Sequence, residues 1–348
     1  METRTKPKER LVHLDFARAV AIAAVLVIHF LAHSTGTVVQ LFGGTANLTM
    51  ISSPLFFAVS GASLACSTPR EKAMSLGMFI RKRFLRIFPV FYIAYAFATA
   101  IHFLIDRTIA VGVPAWHIVF SFVGFDGLLL ALGVPTFYMV GEWFLGCIIG
   151  VYALFPLLHW IWRKSVVTLA IIGGVLVIAT AFNIGHSWAF YLFMPIASFI
   201  FGMLVFSRKP SWIGASIAVA VVAGLWITAP NLGPDFMNIV YGCACVYILF
   251  YIGQFLKYVP LAPDFFAWVG AISFSIILTH HFIFYQMLMW FHPTSVRNII
   301  VYIVIVCAMV AVASVLLSRA EKWIIAWFSG LGRRWETEHV LIEDRAIG

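Results

Sequence analysis

The chain has 348 residues, of which 62% are hydrophobic and only 11% charged. A water-soluble domain of that length has no use for so much apolar surface, and several apolar runs reach the ~20 residues that cross a hydrocarbon core of ~30 Å. The runs are continuous rather than alternating, which argues against a membrane β-barrel.

In chain order the pattern predicts an all-α, polytopic membrane protein of about ten helices in one bundle. The spans fall at 11–32, 48–67, 88–105, 137–162, 166–183, 189–207, 211–229, 237–255, 265–289 and 298–318. The first follows a basic leader but carries Asp15, Arg18 and His29 and lacks a small-x-small cleavage site, so it reads as a retained helix. The connection 68–87 is basic and amphipathic, suited to a membrane interface. The connection 106–136 is too apolar for a solvated loop and reads as a re-entrant or interfacial segment over the outer face. After Trp335 the chain is short and polar, so residues 1–335 form the membrane domain and 336–348 a tail.

The net charge of +9 follows from topology. When the connections are numbered alternately, one side holds Arg4, Lys6, Lys8, Arg10, Arg70, Lys72, Arg81, Lys82, Arg83, Arg86, Arg163, Lys164, Arg208, Lys209, Lys257, Arg319, Lys322, Arg333, Arg334 and Arg345. Of the 23 basic residues only Arg18, Arg107 and Arg297 lie elsewhere. Such a bias marks the cytoplasmic side, places both termini there and leaves no support for a nucleic-acid partner. The five cysteines lie in apolar spans without a CxxC spacing and read as small core residues.

Ionisable groups inside spans are expensive and need a reason. His29, Glu142 and His280 each count to the outer half of a span, Glu142 about five residues into its helix, although one sequence cannot show that they converge. Arg18 and His29 are eleven residues apart. That is three turns plus about 20° and a rise of about 16 Å, so they share a face. A ligand with an anionic end and a reactive end, such as a coenzyme A thioester, would fit along it. Arg83 and Arg86, three apart in RKRFLRIFP, are neighbours on a helix face, and guanidinium forks suit phosphate. Simpler roles compete: headgroup anchoring for the arginines, an Asp15–Arg18 pair at the helix start, and packing for the histidines.

At these residues the chain resembles the integral-membrane acyltransferase-3 family, whose members O-acylate cell-surface polysaccharides and related acceptors. The resemblance rests on Leu14, Asp15, Arg18 and His29; on Pro54, Phe56, Phe57, Ser60 and Gly61; and on Arg83, Arg86 and Pro89. It continues through Trp143, Phe144, Leu145, Tyr152, Phe155 and Pro156, then Ser273, Phe274, Ser275 and His280, and ends at Glu321. The chain departs from the pattern at Phe274 and Ile277, where family members often have tyrosine. It departs again after His280, where His281, Phe282 and Ile283 stand in place of a nearby proline.

The resemblance implies a membrane O-acyltransferase that draws on cytoplasmic acyl-CoA, acetyl-CoA by default, as a co-substrate. Arg83 and Arg86 would hold the phosphates and Arg18 the donor's path. Trp143, Ser273 and His280 are expected at the acceptor, a carbohydrate, glycolipid or lipid-linked sugar. A neutral His29 would take the proton of the attacking hydroxyl. From its depth, and not from the family pattern, Glu142 is expected to orient that imidazole or stabilise its cation. Direct transfer and an acyl-histidine intermediate are both compatible with these residues. No permanently bound cofactor and no metal-ligand set is expected. The expected location is a bacterial inner membrane. The alternative reading is a secondary transporter or flippase of a sugar-lipid or small metabolite, which would keep ionisable residues mid-bundle at broken helices; no repeated halves are evident.

Overall fold

The computed structural model describes residues 11–35, 40–41, 46–109, 112–137, 139–182, 186–206, 209–228, 232–291 and 296–346. Side chains are described within these except at 32–35, 40–41, 46–47, 49–50, 186, 234, 296 and 328–346. Arg4, Lys6, Lys8, Arg10 and Arg208 of the basic side lie outside the described residues, as do the side chains of Arg333, Arg334 and Arg345.

The helices are α1 (Val12–Thr35), α2 (Leu48–Ser67), α3 (Leu76–Asp106), α4 (Ile118–Val123), α5 (Asp126–Ala131), α6 (Glu142–Lys164), α7 (Val166–Ala181), α8 (His186–Trp188), α9 (Met194–Phe206), α10 (Trp212–Thr228), α11 (Pro234–Gly253), α12 (Ala262–Trp290) and α13 (Val296–Ala346). A π-helical turn, Ala189–Phe193, joins α8 to α9. A hairpin of two-residue strands, Gln40–Leu41 and Ala46–Asn47, precedes α2. Among the described residues seven helices are long and apolar enough to cross a membrane, and three shorter apolar helices, Ile51–Ser67, Val166–Ala181 and Trp212–Thr228, fall at the remaining expected positions. The chain is an integral membrane protein. Along α7, Val167, Ile171, Val175 and Ile178 form an exposed stripe, the mark of a helix whose outer face meets lipid.

Three boundaries differ from the sequence reading. Helix α3 starts at Leu76, twelve residues before the expected span, so residues 76–87 of the amphipathic stretch are its first turns and only 68–75 connect it to α2. Pro89 inside it did not end the helix, since a mid-helix proline is tolerated where neighbouring helices satisfy the freed carbonyl. Helix α13 runs on through Ala346, across most of the stretch expected as a tail. Helix α6 begins five residues late, at Glu142, because Gly141 takes a left-handed turn with φ +84°.

Packing rests on small residues, as expected where lipid offers no hydrophobic drive between helices. A Cβ on Gly61 of α2 would run into the carbonyl of Phe199, and one on Gly202 of α9 into that of Ala58. Helix α5 docks on α6 in the same way through Gly127 and Gly146, which seats the connection after α3 against the bundle. Two apolar groups result. One is drawn mainly from α2, α3, α6, α7 and α9, the other from α1, α2, α11, α12 and α13. The cavities described next take their walls from both.

Candidate active site

The first cavity, of about 310 Å³, is lined by all three arginines singled out in the sequence, together with Ser60, Ser63, Tyr152 and Ser273. Arg18 donates to Asp15 Oδ1 at 3.1 Å and to Ser63 Oγ at 3.0 Å, while Ser63 passes its own hydrogen to the Val59 carbonyl. The ion pair lies against α12 at Gly270, where a Cβ would come within 2.7 Å of Asp15 Oδ1. Arg83 lies between two rings, its Cζ 5.6 Å from the centroid of Phe79 and 5.5 Å from that of Tyr152. Among the described residues its buried Nε has no hydrogen-bond partner. Arg86 is exposed and lies within electrostatic reach of Glu321 on α13. Fixed guanidinium groups around a cavity suit an anionic ligand, phosphate above all.

The second cavity, of about 520 Å³, is lined by His29, His280 and His281. The His29 ring lies 5.0 Å from that of His280 and 4.9 Å from that of His281. The two helices thus bring together residues that the sequence could place only at similar depth, and add His281, the residue after His280. His280 is 3% exposed, and its Nδ1 lies 2.9 Å from the Ile276 carbonyl oxygen. A carbonyl only accepts, so Nδ1 carries the hydrogen and the lone pair sits on Nε2. Such an imidazole is equipped to take a proton. Among the described residues no three His, Cys, Asp or Glu side chains form a group able to hold a metal ion.

The rest of this cavity is aromatic and hydroxylic. Trp143 packs on Phe190 and Tyr191, with centroids at 5.4 and 6.1 Å, and Ser52, Ser53 and Thr136 add hydroxyl groups. Leu130, Pro135 and Thr136 come from the connection between α3 and α6, which therefore supplies one wall.

The cavities succeed one another along the bundle. On α1 Arg18 lines the first and His29 the second; on α12 Ser273 and Phe274 line the first, and His280 and His281 the second. Helices α2 and α6 run the opposite way, from Ser52 and Ser53 to Ser60 and Ser63, and from Trp143 to Ile148 and Tyr152. Phe56, Phe144 and Ile277 are the residues that line both. On each of their helices they fall at the changeover.

Two sequence expectations meet a different geometry. Glu142 is fully buried, but it is the first residue of α6 rather than about five residues into a helix. Its carboxylate accepts from the Met139 N–H at 2.7 and 2.9 Å and from the Val140 N–H at 3.0 Å. It is absent from the residues lining the histidine cavity. The short turn created by Gly141 folds the acid back on its own backbone, which counting along a span could not foresee. Ser273, expected with the acceptor residues, lines the arginine cavity, and its hydroxyl donates to the Gly270 carbonyl at 2.9 Å.

Sequence reasoning missed Ser63 and the buried Asp126. The first carries no signal, since a serine in an apolar helix is common. The second is fully buried and accepts from Ser121 at 2.8 Å; its burial pushes the carboxyl up to about 6.

No curated protein and no solved structure matches the chain. A family model does: the one described as an acyltransferase domain, Acyl_transf_3, matches residues 11–318, a stretch that contains both cavities. With the arginine, histidine and connecting residues all inside that match, the chain belongs to the membrane acyltransferase-3 family and is an acyltransferase.

Proposed function

We propose that the protein moves a short acyl group, acetyl by default, from acyl-CoA at one membrane face to a hydroxyl at the other, on a surface glycan, glycolipid or lipid-linked sugar. The observation that carries this reading is the succession of two cavities, one walled by arginines and the next by histidines, with three residues common to both. The basic bias assigns the arginine end and both termini to the cytoplasm, where acyl-CoA is made, and the setting is a bacterial inner membrane.

Arg83 and Arg86 hold the phosphates, and Arg18, fixed by Asp15 and Ser63, lies further along the path with Ser273. The uncharged pantetheine arm passes Phe56, Phe144 and Ile277 and delivers the thioester carbonyl to the histidines. There the acceptor oxygen attacks the carbonyl while His29 takes its proton. A C–O bond forms and the C–S bond breaks. The proton then passes from the imidazolium to the departing thiolate, so the step is balanced as direct transfer. His280, its tautomer set by the Ile276 carbonyl, accepts from a neighbouring hydroxyl of the acceptor, and Trp143 offers a flat face to the sugar ring. We assign Glu142 to holding the turn before α6 in place, through the Met139 and Val140 amides.

A positioned general base contributes about 10²–10⁴-fold. His29→Ala should therefore remove the added acyl mass from surface glycans, read by mass spectrometry, while the protein inserts and accumulates normally. Acylation retained by a well-expressed variant would refute the assignment.

A further inference from the structure

We infer that a lipid-facing groove beside Arg83 binds an anionic phospholipid, whose phosphate takes the Arg83 guanidinium and so competes with the donor. The lipid site stands on the geometry of the groove; only the competition rests on the functional reading above.

A third cavity, of about 340 Å³, lies between the first turns of α3 and the middle of α6. Arg83, Ile87 and Tyr152 line both it and the arginine cavity. Of the two rings that hold the guanidinium, Phe79 belongs to the groove alone and Tyr152 to both. The same cation thus serves two spaces. Apart from Arg83 and Tyr152 the groove is apolar. On α3 Ile80, Phe84 and Phe88 repeat every four residues and so share a face. Ile80 and Phe84 are exposed, at 56% and 49%, on a helix apolar enough to cross a membrane, so the groove reaches the lipid. On the topology assigned above, α3 runs outward from the cytoplasm. Phe88 then lies about 7.5 Å deeper than Arg83, its ring stacked on that of Phe84 at 4.7 Å. A cation followed by deeper hydrocarbon and aromatic surface matches a phospholipid, with its phosphate at the arginine and an acyl chain along the rings.

Charge favours the same occupant. Arg18 pairs with Asp15, and Arg86 lies within electrostatic reach of Glu321. Arg83 has two rings and, among the described residues, no carboxylate partner. A cation left so beside hydrocarbon is expensive, and basic pockets between membrane helices on the cytoplasmic side take anionic headgroups. The exposed Arg81 and Lys82 on either flank favour a lipid with net negative charge over a zwitterionic one. One planar fork cannot offer both prongs to two phosphates, so a bound lipid withdraws Arg83 from the donor.

The test places the full chain in nanodiscs of phosphatidylcholine, alone or with phosphatidylglycerol added. Two substitutions fill the groove from residues that do not line the arginine cavity, Ala153→Phe on α6 and Ile80→Trp on α3. Native mass spectrometry of the released chain counts retained phosphatidylglycerol, and titration calorimetry measures coenzyme A. Wild type should retain one more phosphatidylglycerol than either variant. In neutral discs the variants should bind coenzyme A as wild type does, which also shows that they fold. With the groove about nine-tenths occupied, wild type should bind coenzyme A about tenfold more weakly in anionic discs. Repulsion of coenzyme A by the disc surface weakens all three chains alike, so the loss in wild type divided by the loss in a variant isolates the groove. An equal lipid count in all three chains overturns the lipid site. A ratio of one overturns the competition. Failure of wild type to bind coenzyme A in neutral discs overturns the donor reading and the competition with it, while the lipid count still decides the site.

Discussion

Arg83 and Arg86 look equivalent in the sequence, yet their surroundings predict unequal losses. Arg83 is held between the rings of Phe79 and Tyr152, with a buried Nε that has no partner among the described residues. Its fork is therefore pre-oriented, and little side-chain entropy is lost when it meets a phosphate. Lysine in its place keeps the charge but loses the two-pronged geometry. A hydrogen bond to a charged group contributes about 1.5–3 kcal/mol, so the loss of one prong at about 2 kcal/mol weakens binding roughly thirtyfold. Arg86 is exposed, where a charge contact is worth about 1 kcal/mol or less; Arg86→Lys should cost no more than about fivefold. Salt separates them further, because the screening length is about 10 Å at 0.1 M and buried contacts are screened less. The Arg86→Ala penalty should shrink as salt rises, while that of Arg83→Lys persists. Isothermal titration of free coenzyme A into the detergent-solubilised chain, at low and high salt, measures all of these. Equal losses for Arg83→Lys and Arg86→Lys, or coenzyme A bound by Arg83→Lys as tightly as by wild type, would refute the argument.

Gly61→Ala and Gly202→Ala each place a methyl against backbone of the facing helix, where no side chain can yield; overpacking of about 1–3 kcal/mol should lower the thermal midpoint in detergent, and an unchanged midpoint would contradict the close α2–α9 contact. Glu142→Ala strands two buried amides at about 1–3 kcal/mol each, so it should act on thermal stability and leave the pH profile of transfer where it was; a shifted pH profile in the folded variant would return Glu142 to the chemistry. Asp126 lies outside the membrane-spanning helices, and its carboxyl is raised to about 6 by burial. The folded state thus binds the proton more tightly than the unfolded chain. This contribution to stability is fully present below the ordinary carboxylate pKa and is lost as pH rises from about 4 to about 6, by at most about 1.4 kcal/mol for each pH unit crossed. Asp126→Asn should flatten thermal midpoints across that interval, and a wild-type midpoint that does not fall there would be evidence against a protonated Asp126.

The fold was legible because composition and apolar period report directly on lipid: among the described residues, seven helices long enough to cross a membrane and three shorter apolar ones stand near the expected segments. What the sequence could not supply was local backbone geometry at the ends. Gly141 shows the difficulty. Its left-handed turn moves the start of α6 by five residues and sends the Glu142 carboxylate back to the amides behind it, whereas an uninterrupted helix would have carried the acid at depth. The site was legible in part for a related reason. Residues on one helix keep a fixed phase, so Arg18 and His29 could be set on one face by arithmetic. Contacts between helices have no such rule, and the meeting of His29 with His280 and His281, or of Arg18 with Ser63, depends on how helices approach one another, as where Gly270 of α12 lies against Asp15 and Arg18 of α1.

The spacing of charge along this path follows from the cost of burying it. Phosphates desolvate at great expense, whereas a thioester and the amides of a pantetheine arm carry no net charge. A bundle that left its arginines at one end and only aromatic and aliphatic side chains at the changeover would keep every formal charge of the donor in the first cavity. Only neutral chain would cross Phe56, Phe144 and Ile277. On the proposed path an anionic donor would therefore act across a membrane without any of its phosphates crossing the apolar wall. It also explains why a charge placed at that wall should be worse tolerated than one at either end: Ile277→Lys would put a cation where the path is driest, and should stop transfer while coenzyme A still binds at the arginines.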